Sequence, residues 1–156
     1  MDIRDVKNSS LKLMETSKAA FLTTIDSNGF PITRAIFNLR NREQFPKFTE
    51  FFNRQTDKFV VYISTNTSSS KVDHIKSNPA ICVYYCDTDN FYGIMLGGFA
   101  EIVNNLDIKH VIWLDWWKQY YKKGVEDPDY TLLKLHPKYA RYYHNLNLLN
   151  FELVGE

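Results

Sequence analysis

The sequence predicts a mainly β fold with added helices (α+β), in which six to seven antiparallel strands form a small barrel. Three observations lead to this prediction. β-rich segments follow one another through short polar turns, as in hairpins. One long predicted strand contains Gly93, Gly97 and Gly98, which favours strong curvature. Helical patterns do not follow every strand, so parallel β–α–β winding is disfavoured and an open α+β sheet is the alternative architecture.

The first third of the chain is predicted to contain a helix, a hairpin and a second, short helix. An amphipathic pattern predicts a helix over residues 4–18. AFLTTID and FPITRAIFNLR then flank Ser27-Asn28-Gly29, and Asn-Gly between two β-rich segments is a strong hairpin signal. A short helix over residues 47–54 would place its three phenylalanines against an apolar surface.

The most informative segment is KFVVYISTNTSSSKVDHIKSNP, residues 58–79. Its alternating pattern predicts a buried strand up to Ser64, and every residue from there to Ser70 except Asn66 carries a hydroxyl group. A helix is predicted to begin at Ser70, with Asp73 as its capping-box partner. A helix N-terminus offers free N–H groups and a partial positive charge, so hydroxyls followed by Lys71 predict a phosphate site. An ordinary cap and loop without a ligand is the alternative.

The second half of the chain continues the antiparallel pattern. AICVYYCD and YGIMLGGFAEIV are predicted to pair around a polar turn at residues 88–90. A helix is predicted over residues 106–121, which contain all three tryptophans. TLLKLHP, KYARYYH and LNLLNFEL are then predicted to form a strand, a short helix and a strand. Because no linker, repeat or low-complexity segment interrupts the chain, residues 1–156 are predicted to form a single domain.

Composition disfavours several classes of partner. Lysine and arginine total 19 against 18 acidic residues, so the net charge of +1 gives no reason to expect nucleic acid or an anionic membrane. The chain has no apolar leader and no membrane-spanning stretch, which predicts a cytoplasmic protein.

Cys82 and Cys86 lie in one predicted strand, about 13 Å apart at the usual rise. They are therefore expected to be buried free thiols, because a disulfide needs Cα atoms within about 7 Å. The four histidines form no metal-ligand motif.

Five landmarks, in order, resemble the FMN-binding split barrels related to pyridoxamine 5′-phosphate oxidase, in particular their short general-stress-protein-like branch. The resemblance runs from about Ala19 to Phe151. It rests on the following segments: AFLTTIDSNGFPITRAIF with its arginine, YISTNTSSSKVDHIKSNPAICVYY, GIMLGGFAEIV, WWKQYYKKGVEDPDYTLLKLHP and YARYYH. The fold that this resemblance implies is a split barrel of the FMN-binding type.

The resemblance also implies FMN bound at a homodimer interface. In this interpretation Lys71 supplies a point charge to the phosphate, Arg34 supplies a forked donor, and the neighbouring hydroxyls supply neutral hydrogen bonds. Backbone groups of the strand after the arginine would meet the edge of the flavin ring. Trp117, Trp116 or Tyr120 would cover the flavin from the partner subunit, and the alternative for each of them is an interface role without contact to the flavin. The implied cofactor-binding residues are Arg34, Ala35, Ile36, Phe37, Ser64, Thr65, Ser69, Ser70, Lys71 and Trp117.

The function that the resemblance implies is that of an FMN-dependent oxidoreductase acting on an unidentified small molecule. The Arg-x-His segment of the true oxidases is absent from the final segment, LNLLNFELVGE, so pyridoxamine phosphate is not the implied substrate. A flavin-binding protein without turnover is the first alternative. A haem-binding split barrel that uses His136 or His144 is the second. Single-stranded nucleic acid is disfavoured, because grooves of that kind are basic.

Overall fold

The computed structural model describes residues 1–153, so Val154, Gly155 and Glu156, at the end of the predicted domain and of the segment LNLLNFELVGE, lie outside the described residues. Within residues 1–153, seven strands form one antiparallel sheet. The strands are β1 (Ala20–Ile25), β2 (Pro31–Ile36), β3 (Val61–Asn66), β4 (Ala80–Asp87), β5 (Tyr92–Ile102), β6 (Tyr130–His144) and β7 (Asn147–Glu152). The helices are α1 (Ile3–Thr16), α2 (Thr49–Asn53), α3 (Ser70–Ser77) and α4 (Leu106–Val111), with short 3-10 turns at Pro46–Phe48, Asp115–Gln119 and Gly124–Glu126.

The sheet has the order β2-β1-β4-β5-β6-β3, and β7 also pairs with β6. All of these pairs are antiparallel, as the sequence predicts. β2 and β3 lie at the two ends and do not pair with each other, so the barrel is split. The predicted fold class is confirmed. No helix in the described part of the chain is long and apolar enough to cross a membrane.

Two hydrophobic cores lie on the two sides of β3. Val61 and Ile63 point into the first core, which α1 covers with Val6 and Met14. Tyr62 points into the second core, which is largely aromatic. The second core consists of Leu39, Phe45, Phe48, Phe52, Val60, Tyr62, Val103, Ile112, Trp113, Trp117, Tyr121, Val125, Tyr130 and Leu132. β3 is therefore buried on both faces, and its last residues emerge between the two cores.

The predicted helix over residues 106–121 is wrong in its second half. α4 ends at Val111, and a separate 3-10 turn covers Asp115–Gln119. The backbone carbonyl of Ile112 accepts a hydrogen bond from the Tyr130 hydroxyl at 2.7 Å, and that of Trp113 accepts one from Lys47 Nζ at 2.7 Å. Tertiary donors thus take the carbonyls that a continuing helix would use, and burial of both side chains in the aromatic core favours the break.

Three further expectations are corrected. KYARYYH is not a helix but the second half of β6, because a register shift opposite Gly97 and Gly98 accommodates Pro137 without ending the strand. The cap of α3 is Ser69 rather than Ser70, so the predicted capping box with Asp73 does not form.

Cys82 and Cys86 are free, but both are partly exposed rather than buried. Their exposure follows from their position on the outer face of β4, away from the first core.

Buried tyrosines in both cores predict a loss of stability at alkaline pH. Burial raises the pKa of Tyr121 to about 12 and raises the pKa of Tyr130 in the aromatic core, and it raises the pKa of Tyr85 in the first core. Because these values exceed the unfolded value of about 10, the unfolded chain releases its tyrosine protons first and the free energy of unfolding falls as pH rises above about 10. We expect the free energy of unfolding, measured by denaturant titration at a series of pH values, to fall in this range. Tyr121→Phe should weaken this fall, and a free energy of unfolding that stays constant above about pH 10 would contradict the prediction.

Candidate functional site

A cavity of about 570 Å³ lies in the gap between the two ends of the split sheet. β2 contributes one wall, the end of β3 and the start of α3 contribute another, and the Trp117–Tyr121 segment closes a third side. The lining residues are Lys18, Ala19, Ala35, Ile36, Phe37, Gln44, Ser64, Thr65, Asn66, Lys71, Trp117, Tyr120 and Tyr121. β2 and β3 are distant in the strand order, so the cavity exists because the sheet curves and remains open.

Most of the predicted site residues lie together in this cavity. Of the predicted set, the lining residues are Ala35, Ile36, Phe37, Ser64, Thr65, Lys71 and Trp117, whereas Arg34, Ser69 and Ser70 are not among the lining residues. β3 extends through Asn66, two residues further than predicted, so Thr65 and Asn66 belong to the strand, together with Ser64, rather than to the loop. The hydroxyls therefore project from a rigid element.

Lys71 is held at one end of the cavity by two of these hydroxyls. Its Nζ donates to Thr65 Oγ1 at 2.8 Å and to Ser69 Oγ at 2.7 Å. Burial, reinforced by the nearby Arg34 cation, lowers the pKa of Lys71 below its usual value. No carboxylate within residues 1–153 is paired with this ammonium group. A half-buried lysine with only neutral partners is well suited to receive an anion.

Arg34 approaches the same end of the cavity from β2. Its Nη1 donates to Thr24 Oγ1 at 2.7 Å and to the carbonyl oxygens of Ile32 at 2.9 Å and Leu22 at 3.4 Å. Burial lowers the pKa of Arg34. Its Nε and Nη2 have no partner among the described residues, and no described carboxylate pairs with it. Two neighbouring cations that repel each other and lack a counter-ion form an anion site.

The loop between β3 and α3 is fixed by Asp129. The Asp129 carboxylate accepts hydrogen bonds from Asn66 Nδ2 at 2.9 Å and from the backbone N–H of Ser68 at 2.8 Å, and these bonds lower its pKa. Thr67 Oγ1 donates to the Pro128 carbonyl oxygen at 2.8 Å. Thus Thr67 and Ser68 serve to anchor the loop, while the hydroxyls nearer the cavity remain close to Lys71. This is a structural role for the segment Asp-Pro-Asp-Tyr at residues 127–130.

Aromatic side chains line the other end of the cavity. Trp117 is only 2 % exposed, so it contributes to its own chain's cavity wall and cannot reach over a flavin in a partner subunit. Trp116 and Tyr120 are 47 % and 59 % exposed and form an edge-to-face pair with ring centroids 6.1 Å apart. Phe37 is also half exposed and meets Trp116 edge-on at 6.4 Å. These exposed rings remain available to a planar ligand or to a partner.

The sequence did not predict Lys18, Ala19, Gln44, Asn66 and Tyr121 as lining residues. The antiparallel register pairs Ala20 with Ile36, so the residues just before β1 necessarily lie near the end of β2. The register of this hairpin could therefore have predicted that Lys18 and Ala19 line the cavity. Gln44 comes from a loop for which the sequence pattern predicts no position.

Neither candidate haem ligand lies in this cavity. His136 is exposed, and its Nδ1 lies 3.4 Å from Asp57 Oδ2. His144 packs against Tyr92, with ring centroids 4.6 Å apart. The cavity walls, as far as the chain is described, contain no histidine.

Comparison with known proteins identifies a family and several similar structures. A family described as "Pyridoxamine 5'-phosphate oxidase like" matches residues 52–152, about two thirds of the chain. No curated protein matches the chain. A solved structure from Clostridium acetobutylicum, of a protein related to general stress protein 26 of Bacillus subtilis (pyridoxinephosphate oxidase family), is 31% identical, with a TM-score of 0.75 over 97% of this chain and 96% of that chain.

Two more distant structures share the fold. General Stress Protein 26 from Bacillus anthracis is 21% identical, with a TM-score of 0.68 over 94% of this chain and 98% of that chain. A heme binding protein from Mycobacterium smegmatis is 10% identical, with a TM-score of 0.68 over 95% of this chain and 58% of that chain. The same backbone therefore occurs in proteins with different names, one of them a heme binding protein, so the ligand has to be argued from the side chains.

Proposed function

The chain belongs to the pyridoxamine 5′-phosphate oxidase-like family, and from that premise we propose that it is a homodimeric flavoprotein that binds FMN and acts as an oxidoreductase on a small molecule. The observation that carries the proposal is the pair Arg34 and Lys71, two cations without a carboxylate partner in the described chain: Lys71 lines an aromatic cavity, and Arg34 lies close to Lys71. A phosphomonoester carries nearly two negative charges at neutral pH, so it matches this pair in charge.

Different residues would bind the phosphate and the flavin ring of FMN. Lys71 and the free Nε and Nη2 groups of Arg34 would hold the phosphate, with Ser64, Thr65, Ser69 and Ser70 as neutral donors nearby. β2 is the end strand of the sheet, so one row of its backbone groups is unpaired within the described residues. At Ala35 and Ile36, and at Phe37 directly after the strand, backbone groups would meet the polar edge of the flavin ring. Trp117 and Tyr121 would form an apolar wall that limits access of water.

FMN, when bound, supplies the hydride or electron transfer, and the protein groups position it and tune it. Exposed Trp116, Tyr120 and Phe37 surround the mouth of the cavity and would contact a planar substrate or the partner subunit. A cytoplasmic setting fits Cys82 and Cys86, because both are free thiols and partly accessible.

An exposed aromatic face supports the homodimer. On the outer face of the sheet, Tyr84 lies across Gly93 and Tyr139 lies across Gly97, so each ring occupies the space that a side chain on the neighbouring strand would need. These tyrosines are 39 % and 47 % exposed. Large rings held flat and exposed are typical of interfaces, and a second copy of the chain offers a matching surface.

The proposal is tested by adding FMN to the purified protein, removing free ligand, and recording the visible absorption spectrum. We expect retained flavin absorption, and we expect riboflavin, which lacks the phosphate, to bind at least about a hundredfold more weakly. Protein that retains no flavin and does not quench FMN fluorescence would refute the proposal. Reduction of the bound flavin by NADH or NADPH would distinguish an oxidoreductase from a flavin-binding protein without turnover.

A further inference from the structure

His74 stands directly behind the proposed phosphate site, although it does not line the cavity. Its Nδ1 lies 2.8 Å from Thr24 Oγ1, and the same oxygen lies 2.7 Å from Arg34 Nη1. Thr24 is completely buried in β1. The three side chains, on α3, β1 and β2, therefore form one continuous hydrogen-bonded chain.

The direction of this chain follows from the chemistry of its members. An arginine side chain only donates hydrogen bonds, so Thr24 Oγ1 accepts from Arg34. The single proton of the Thr24 hydroxyl can then be donated to His74 Nδ1 in the tautomer of the neutral ring that has its proton on Nε2. Removing either end leaves a buried hydroxyl with one partner fewer, and such a loss is costly in a completely buried position.

α3 also connects these three hydrogen-bonded side chains to Lys71, the second cation. Lys71 and His74 are three residues apart on the helix, a spacing that places them on neighbouring positions of one helix face. Lys71 reaches Thr65 and Ser69, while His74 reaches Thr24 and, through it, Arg34. One helix thus fixes both cations relative to each other.

We propose that His74 is a positioning residue of the phosphate site: through Thr24 it holds Nη1 of Arg34 inward and leaves Nε and Nη2 of Arg34 oriented toward the anion beside Lys71. This inference rests on the proposed function. Its physical basis is preorganisation, since a guanidinium group fixed before binding loses less side-chain entropy when the phosphate arrives. His74 itself need not touch the ligand.

The test compares FMN with riboflavin in His74→Ala and Thr24→Val variants, with dissociation constants measured by quenching of flavin fluorescence. We expect each variant to weaken FMN binding by about three- to tenfold, the usual effect of one hydrogen bond, and to leave riboflavin binding unchanged. The double variant should lose no more than the larger single loss, because both changes break the same chain. His110→Ala, at an exposed position on α4, is the matched control.

Measurements in the Arg34→Ala variant distinguish a positioning role of His74 from a general effect on the stability of the protein. If His74 acts through Arg34, His74→Ala should have no further effect on FMN binding there, and His74→Gln should restore part of the affinity in the native background because an amide oxygen can still accept from Thr24. Equal weakening of FMN and riboflavin, or the same loss without Arg34, would overturn the inference. Wild-type protein that binds no FMN would refute the proposed function itself, whereas tight FMN binding unchanged in His74→Ala would refute this inference alone.

Discussion

Replacing Lys71 with methionine and Arg34 with alanine is expected to weaken FMN binding by about a thousandfold. Each cation would donate a charge-assisted hydrogen bond to the phosphate, and two such bonds at about 2 kcal/mol each correspond to roughly three orders of magnitude in the dissociation constant. The single variants should each account for a part of this loss without adding strictly, because the two groups share one anion. Flavin fluorescence titration measures all three constants.

Replacing Lys71 alone should not destabilise the protein in the absence of flavin. Lys71 is half-buried beside Arg34, and both burial and the like charge lower its pKa, so its charged form opposes folding when the anion is absent. We therefore expect the thermal midpoint of flavin-free Lys71→Met to equal or exceed that of the wild-type protein. Loss of binding together with retained stability would locate the effect in the site, whereas a large fall in the midpoint would show that Lys71 is structural.

Two matched variants sharpen this test. Lys76→Met removes an exposed lysine from the last turn of the same helix and should leave FMN binding unchanged. Arg34→Lys keeps the positive charge but loses the forked donor, so it should recover only part of the affinity that Arg34→Ala loses. If Lys76→Met weakened FMN binding as much as Lys71→Met, general attraction by positive charge would explain the affinity and the specific phosphate site would be wrong.

The antiparallel framework could be predicted because its signals are local. Gly29 adopts a positive φ of 82° in the turn that the Asn-Gly pair indicates, and β4 matches the predicted segment Ala80–Asp87 residue for residue. The predictions are wrong where residues distant in the sequence determine the local structure. Pro137 suggested the end of a strand, yet the bulge opposite Gly97 carries β6 past it. The helix at residues 106–121 ends early because Lys47 and Tyr130, far away in the sequence, take its carbonyls.

The candidate site, too, could be predicted only in part from the sequence. The hydroxyl run and Lys71 could be recognised because a strand, a polar loop and a helix N-terminus follow one another in the sequence. Gln44 could not, since only the folded course of its loop brings it to the cavity. The role of Asp129 in fixing Asn66 and Ser68 also appears only once β6 is seen to lie beside β3. Local pattern thus predicted several of the residues that line the cavity, and tertiary structure determined the rest.

The second large effect is expected from Gly97→Ala, which should dissociate the proposed homodimer. A Cβ atom at residue 97 would lie 2.2 Å from Cζ of Tyr139, so the ring must leave its flat position. The atoms in the way are the far end of an exposed, flexible side chain, and the ring can therefore swing into solvent without unfolding the sheet. An interface tyrosine commonly contributes about 2 kcal/mol or more, so we expect the dimer dissociation constant to rise at least about thirtyfold.

Sedimentation velocity over a dilution series measures this change, and circular dichroism confirms that the fold is retained. Tyr139→Ser removes the same ring without any steric conflict, so it should weaken the dimer similarly if the flat aromatic face forms the interface. Leu146→Ser, at the exposed tip of the β6–β7 turn, changes an equally apolar side chain outside this face and should leave the dimer intact. A dimer that survives both Gly97→Ala and Tyr139→Ser would exclude Tyr139 from the interface, because neither variant presents the Tyr139 ring in the position that the partner would have to contact.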